Sequence, residues 1–438
     1  MSPEGGFSLA YGAGRLRVVL PAGRFATVVA TVPPPLADPA RGLLEALENP
    51  ITAPPLRTLV RPGDRVTIVV SDGTRVTGIR ELLPPLLGHL ESAGIPPERV
   101  RLLFALGIHR RQTPAEQAAI VGAEVAARIA HADHDCEDER ALALLTRDGP
   151  ADGVRLNRQV LDSSLVIVTG AITFHYLAGF GGGRKAILPG VAARDSVRAF
   201  HSRSLAAEPG KGRHPNVVPG VRAGNPLDAL AGAAAAALPR AFLLNTIMAP
   251  AGAGTGTGAR IAAIVAGDLG RAFDRGCELY RERFVIPVAG RRPVVIVSAG
   301  GAPRDCDLVQ AQKAIAAGAA ALTPGGMMLV LAACPEGTGQ AELLRWFDHP
   351  DRATHVATLQ ARFSVPGQTA LALREHAERY RVSLCSELPP EVVARTGMTP
   401  VARLEDFFTA AFRDYGLDVE GYVLPEGARY LPVAAAGA

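Results

Sequence analysis

Short apolar runs, each closed by glycine or a polar turn, recur along the chain with enough residues between them for a helix. Arg65-Val-Thr-Ile-Val-Val70, Val100-Arg-Leu-Leu-Phe-Ala-Leu106 and Ser164-Leu-Val-Ile-Val-Thr169 each predict a buried strand. Between the first two, residues 79–93 place leucines at 82, 83, 86, 87 and 90, the spacing of an amphipathic helix. Helices are also predicted near residues 42–47 and over 194–202 and 268–284, and strands at 16–20, 242–248 and 261–265. A second series opens at 293–298: strand, helix over 308–320, strand at 327–333, a helix through Trp346, helix over 369–379, strand at 382–386 and a short strand at 421–425. Strands alternating with helices predict parallel sheets covered on both faces. The fold class expected is therefore α/β, two Rossmann-like domains with the active site in the interdomain cleft. Residues 1–286 form the expected N-terminal cofactor- and metal-binding catalytic domain and residues 287–438 the C-terminal Rossmann-like domain, with a linker at 287–293 and a C-terminal tail free to pack back on the first.

Open α/β sheets hold ligands at the carboxyl ends of their strands, so the loops that follow them are the places to look for chemistry. Ser71-Asp-Gly-Thr-Arg75 puts Asp72, Thr74 and Arg75 where carboxylate, hydroxyl and guanidinium can converge on an anionic ligand, the alternative being that Asp72 caps the turn. Gly107-Ile-His-Arg-Arg-Gln-Thr-Pro114 brings His109 to the same edge, ahead of a helix capped at Thr113. The third loop, Gly170-Ala-Ile-Thr-Phe-His-Tyr-Leu-Ala-Gly-Phe-Gly-Gly-Gly-Arg-Lys-Ala-Ile-Leu-Pro-Gly190, contributes His175, so two histidines at parallel strand ends point to a shared site. In it Gly181, Gly182 and Gly183 can aim successive N–H groups at an anion, and Arg184 and Lys185 add positive charge. The run matches neither common phosphate fingerprint: Ala186 stands where a Walker-type loop has Ser or Thr, and Arg184 where a dinucleotide loop has its last Gly. It is a phosphate loop of another kind or a flexible turn. His131 and His134 do not share a helical face and read as a solvated loop, residues 209–225 as a lid, and residues 251–258 as a low-complexity hairpin or flexible loop. On the helix over 308–320, Gln310 and Lys313 share a face.

Composition narrows the setting. The 438 residues are 48% hydrophobic, but no run of about 18 escapes charge, Gly or Pro, so no membrane span is expected. The N-terminus lacks the basic and apolar segments of a secretory signal, and a cytoplasmic location is expected. Five cysteines without a CxxC pair suggest neither a disulfide framework nor a zinc knuckle. A net charge of +4, spread over scattered arginines with 5% aromatics, argues against a nucleic-acid partner.

Taken together, Asp72-Gly-Thr-Arg75, Gly107-Ile-His-Arg110, His175-Tyr-Leu-Ala-Gly-Phe-Gly-Gly-Gly-Arg-Lys185 with Pro189-Gly190, His201 and Gln310-Ala-Gln-Lys313 resemble the nickel-pincer lactate racemase family in order and spacing. The resemblance implies a 2-hydroxyacid racemase or epimerase and a nickel-pincer nucleotide, a pyridinium-3,5-bisthiocarboxylic acid mononucleotide, tethered or adjacent to Lys185. It implies His201 as the protein's nickel ligand, and His109 and His175 as paired acid/base catalysts. Asp72, Thr74, Arg75, Gly181, Gly182, Gly183 and Arg184 would bind cofactor, and Arg75, Gln310, Lys313, Tyr176, Val309 and Trp346 substrate. Val309 occupies the position of a family tyrosine, and Ala302, Pro303 and Arg304 precede it, so a substrate larger than lactate is expected. Proteins of cofactor synthesis would be maturation partners. The competing expectations are a hydrolase or lyase with zinc held by His109, His175 and His201, and a non-catalytic protein that binds a phosphorylated metabolite.

Overall fold

A computed structural model describes residues 6–20, 22–30, 34–249, 260–427 and 429–434. The predicted hairpin or loop at 251–258 lies outside the described residues. The chain divides into two compact units: a first one from the described residues of Val32–Ser204 and Asn216–Glu282, and a second from those of Met1–Thr31, Leu205–Pro215 and Arg283–Ala438.

The first unit is built on a six-stranded sheet in the order Arg260–Gly267, Ala241–Ala249, Leu165–Ala171, Val66–Ser71, Val100–Ala105, Ala130–Asp133. The last five are parallel, and Arg260–Gly267 runs antiparallel at the edge. From the central Val66–Ser71 the chain builds outward to one side, then returns to place Leu165–Ala171 on the other. That reversal of direction is the switch point at which doubly wound sheets open a crevice. The helix Ile79–Ser92 lays Leu82, Leu83, Leu86, Leu87 and Leu90, all buried, against Ile68, Val70, Leu102, Phe104 and Ile167. Each such leucine stabilises by about 1.5–3 kcal/mol on burial, which is why an apolar stripe read from sequence locates this helix so well.

The second unit has an all-parallel sheet in the order Thr399–Pro400, Arg381–Cys385, Leu322–Leu331, Arg292–Ser298, Glu420–Leu424, Arg24–Thr27. Residues 1–30 were expected in the first domain, and their described part belongs here. Arg24–Thr27 extends the edge beside Glu420–Leu424, Gly12 N donates to Asp305 Oδ2 at 2.7 Å and Ser298 Oγ donates to Ala10 O at 2.5 Å. Near the end of the chain Leu431–Ala434 pairs with Val285–Val288 inside the second unit, which also turns part of the expected linker into strand. Periodicity cannot show edge pairing, because one amphipathic strand suits either sheet.

No helix among the described residues is long and apolar enough to cross a membrane. His131 lies in the strand Ala130–Asp133 rather than a loop, and His134 is buried, bonded through Nε2 to Ala192 O at 3.0 Å and through Nδ1 to Asn157 at 3.2 Å. These contacts make His134 a core residue.

Candidate active site

The loops that follow Val66–Ser71, Val100–Ala105 and Leu165–Ala171 meet in the first unit. Asp72 is buried at the end of the first strand, where Oδ1 accepts from Thr74 N at 3.0 Å and Thr74 Oγ1 at 2.5 Å, and Oδ2 pairs with His109 Nδ1 at 2.6 Å. Burial alone would raise the Asp72 pKa, but His109, Arg75 and the Thr74 hydroxyl outweigh it and hold the carboxyl below its usual value. An ionised carboxylate only accepts, so the His109 Nδ1 carries a proton, and in the neutral ring Nε2 presents the lone pair. Asp72 thus caps its turn and also orients a histidine, which joins the two alternatives read from sequence. Arg75 is exposed beside it. Gln112, missed in the sequence, ties the first two loops: its Oε1 accepts from Gly73 N at 3.0 Å while Asp133 holds its N and Nε2.

The third loop is neither a phosphate cradle nor a free turn. Thr173–His175 and Gly179–Gly181 form a small antiparallel hairpin whose closing pair is His175 with Gly179. His175 Nδ1 accepts from Leu177 N and Ala178 N, each at 3.2 Å, so its side chain holds the turn that follows it. Tyr176 stacks on its ring at 5.1 Å. Its Nε2 lies 2.8 Å from Lys185 Nζ. Asn225, also unforeseen, donates to Leu177 O at 2.8 Å, to Asn216 O and to Val221 O, and Gly220 N bonds Gly179 O at 2.8 Å. Residues 216–225 are thereby fastened to the hairpin, and the lid reading of 209–225 gives way to a strap.

Close packing explains the glycines. At Gly182, with φ of +79°, a Cβ would sit 2.6 Å from Ala171 O, and at Gly183, with φ of +50°, it would sit 2.3 Å from the Phe273 ring. Gly183 N already donates to Asn245 Oδ1 at 2.7 Å, and Gly181 lies in the hairpin, so the expected row of amides for an anion does not form. Arg184 faces away from its neighbour Lys185. Its guanidinium bonds Asp228 at 2.8 Å with both side chains nearly buried, and lies over Phe273 at 4.8 Å. Burial pulls its pKa down, with Asp228 opposing. This is a structural ion pair, and the cofactor role expected of Arg184 has no support in its placement.

His201 closes the group from the last turn of Arg194–Ser202. Its Nδ1 donates to Val197 O at 2.9 Å, which leaves the lone pair on Nε2, the atom that could ligate a metal. Burial above all, then the nearness of Lys185 and His109, holds its pKa down to about 3 and keeps the ring neutral. Gly107 N reaches Gly190 O at 2.8 Å and Lys185 Nζ lies 5.9 Å from the Phe200 ring, so His109, Lys185 and the His201 helix are neighbours. The three histidines still do not form a metal cage: among the described residues the one trio whose donor atoms lie within 4.8 Å of one another is Cys306, Asp307 and Glu336 in the second unit. There burial pushes the Cys306 thiol up to about 11, and Asp307 accepts from Gln310 N at 2.7 Å as a helix cap, so no metal site is argued from them. A cage of protein donors is what structural or catalytic zinc requires. One imidazole with a free Nε2 fits instead a metal that arrives with most of its own donors.

In the second unit the helix Leu308–Ala321 turns Val309, Gln310 and Lys313 to one partly exposed face, and Lys313 Nζ donates to Gln310 Oε1 at 2.6 Å. Trp346 is in a short 3-10 turn, Leu343–Asp348, stacked on His355 at 5.1 Å and packed so tightly over Gly367 that a Cβ there would lie 2.4 Å from its ring.

Comparison with known proteins bears on the family and the fold. The model of the lactate racemase N-terminal domain matches residues 11–212 and that of the C-terminal domain residues 289–431. The lactate racemase of Thermoanaerobacterium thermosaccharolyticum is 31% identical over 306 residues, 69% of this chain and 67% of the relative. That of Lactiplantibacillus plantarum is 27% identical over 392 residues, 87% of this chain and 88% of the relative. The apoprotein structure of the lactate racemase from the first organism superposes with a TM-score of 0.85 at 26% identity, covering 98% of this chain and 99% of that one. A Thermotoga maritima protein, at 17% identity and a TM-score of 0.65, shares the fold.

Proposed function

The chain belongs to the lactate racemase family, and on that premise we propose that it inverts C2 of a 2-hydroxy acid larger than lactate. When bound, a nickel-pincer pyridinium mononucleotide would supply the acceptor and donor of a hydride, so that C2 passes through the planar carbon of a 2-keto acid. His201 would hold the nickel through Nε2. The observation that carries the reading is the complementary state of the two other histidines. Asp72 leaves His109 with a lone pair at Nε2, whereas two amides fix the lone pair of His175 at Nδ1 and leave its proton at Nε2. One ring is set to take the hydroxyl proton of one enantiomer, and the other to return a proton to the keto oxygen on the way to its mirror image. Arg75 is exposed and positively charged at the same edge, suited to the substrate carboxylate, and Gln310 with Lys313 forms a polar pair on the helix Leu308–Ala321, the second group proposed to bind substrate. Val309, smaller than tyrosine, leaves room on that helix face for a longer substituent.

The test is inversion of single enantiomers of graded 2-hydroxy acids in D2O, using protein produced with nickel and the cofactor-synthesis proteins. Inversion with the C2 hydrogen retained is expected; deuterium at C2 would exclude hydride transfer, and no inversion of any acid would exclude the racemase reading. His109→Ala should lower kcat by about a hundredfold or more with nickel retained, while His201→Ala should lose the nickel. Val309→Tyr should shift kcat/KM toward smaller acids by roughly tenfold, on the order of 1–3 kcal/mol per methylene excluded.

A further inference from the structure

A closed ring of bonds runs through His109, and it is fastened from outside the loops that form it. His109 Nδ1 meets Asp72 Oδ2 at 2.6 Å, Asp72 is joined by the chain to Gly73, Gly73 N donates to Gln112 Oε1 at 3.0 Å, and Gln112 follows His109 in the same loop. Beyond the last strand pair, Ser71 with Ala105, these two hydrogen bonds join the loops. Thr74 holds the other Asp72 oxygen, but it belongs to the same turn and cannot set that turn against His109. Asp133 supplies the fastening. It ends the strand Ala130–Asp133 and accepts from Gln112 N at 2.7 Å, Gln112 Nε2 at 3.0 Å and Gln117 Nε2 at 2.9 Å. Gln117 lies on the helix Pro114–Val121, whose capping box at Thr113 and Glu116 fixes its first turn. A carboxylate offers only acceptors, so it selects the NH2 end of the Gln112 amide and turns the oxygen toward the Gly73 N–H. Flipped, the same amide would set donor against donor at Gly73 and acceptor against acceptor at Asp133.

We infer that Gln112 and Asp133 are positioning residues: Asp133 orients the Gln112 amide, Gln112 holds the Gly73 turn, and the turn keeps the Asp72 carboxylate against the His109 Nδ1 proton. The catalytic consequence rests on the function proposed above; the hold on the ring does not. A single bond from Asp72 would leave both side chains free to swing together. The second link removes that freedom and gives the His109 Nε2 lone pair one direction relative to the sheet. A general base works at a heavy-atom separation of about 2.6–3.2 Å, and a misplacement of about 1 Å costs on the order of a hundredfold. Gln112 and Asp133 therefore act on kcat through Asp72, with little reach to substrate affinity. The polarity of the link also makes it reversible. A carboxylate at position 112 and an amide at position 133 satisfy the same contacts with donor and acceptor exchanged: the Gly73 N–H still meets an oxygen, and the backbone N–H of position 112 meets the oxygen of the introduced amide.

The experiment is a double-mutant cycle of Asp133→Asn, Gln112→Glu and the two combined, read first in cofactor-free protein labelled with 15N-histidine. The His109 Nδ1 proton, identified by its loss in His109→Gln, should give a signal protected from solvent exchange in the wild type. Each single variant should shorten its exchange lifetime by about tenfold, and the combined variant should return it to within about threefold of the wild type. In protein produced with nickel and the cofactor-synthesis proteins, each single variant should lower kcat by about tenfold to a hundredfold with KM changed by no more than about threefold, and the combined variant should recover most of the loss. A melting temperature lowered in the single variants with the His109 signal unchanged would make the pair a structural brace and overturn the inference, as would a combined variant no better than the worse single one. Should a single variant fail to fold, wild-type amide exchange decides: the Gly73 N–H should be protected at least about tenfold over the unfolded chain, and exchange at the unfolded rate overturns the inference. A His109 signal that follows the cycle as expected, in a protein that inverts no 2-hydroxy acid, would remove the racemase reading and leave the positioning.

Discussion

Lys185 and Lys313 occupy the two units in opposite roles. Lys313 lies on a regular helix and donates to a carbonyl oxygen of Gln310, an arrangement any cation can satisfy. Lys185 lies in a 3-10 turn behind a glycine pair, with its Nζ 2.8 Å from a histidine ring nitrogen. The difference teaches that a lysine's setting is fixed by what its neighbour offers, an amide oxygen or an imidazole, which the residue type alone does not reveal. Replacing each by arginine separates the two cases most strongly. Lys185→Arg should weaken cofactor retention and remove any covalent adduct from protein matured with cofactor, because guanidinium stays protonated and is a poor nucleophile. Lys313→Arg should retain turnover and change KM by no more than about tenfold, roughly 1.4 kcal/mol.

A second contrast lies within one loop. Arg184 and Lys185 are adjacent, yet the first is locked to Asp228 under Phe273 and the second lies against His175. Arg184→Ala should cost about 1.5–3 kcal/mol of stability, since it removes one of the two guanidiniums, with Arg222, that hold the buried Asp228 carboxylate. Lys185→Ala should leave the melting curve nearly unchanged. Equal destabilisation by both, in denaturant melts, would dissolve the distinction.

The smallest expected effect concerns pH in the second unit. His355 is fully buried, with Nε2 bonded to Gly367 O at 2.9 Å, and burial holds its pKa down to about 4. The unfolded ring titrates near 6.5, so the folded state favours the neutral form. This contribution is fully present above pH 6.5 and is lost as pH falls toward 4, with a slope of up to about 1.4 kcal/mol per unit. Trp346, the one tryptophan and the stacking partner of His355, reports it directly by fluorescence. His355→Gln should lower the slope between pH 6.5 and 4.5 by up to about 1.4 kcal/mol per unit, His201 and His376, both held down to about 3 by burial, carrying the rest, and an unchanged slope would place the acid sensitivity elsewhere.

Much of this was legible in the sequence. Apolar runs place the strands because burial rewards them wherever they pair, and carboxyl-end loops place His109, Asp72 and Lys185 because parallel topology gathers those ends. What escaped was set by partners distant in the chain. Asn245, Asn225 and Gln112 belong to no motif, and each acts through backbone groups that only the folded chain brings within reach. The glycines at 182 and 183 misled for a related reason: a glycine that admits a ligand and one that admits a neighbouring ring look alike until Phe273 is in view.

The pairing of Arg24–Thr27 with Glu420–Leu424 sets a timetable for synthesis on the ribosome. The sheet strands of the first unit, which end at Gly267, can all have been synthesised while more than a third of the chain is still untranslated. The strand Arg24–Thr27 must wait until its partner near the end of the chain is made, and Leu205–Pro215 leaves the first unit early to join helices not yet translated. Neither unit is a continuous stretch of coding sequence. A gene cut at any single point therefore yields no intact pair of modules, and recombination that exchanges one unit between relatives has to splice the chain in several places at once.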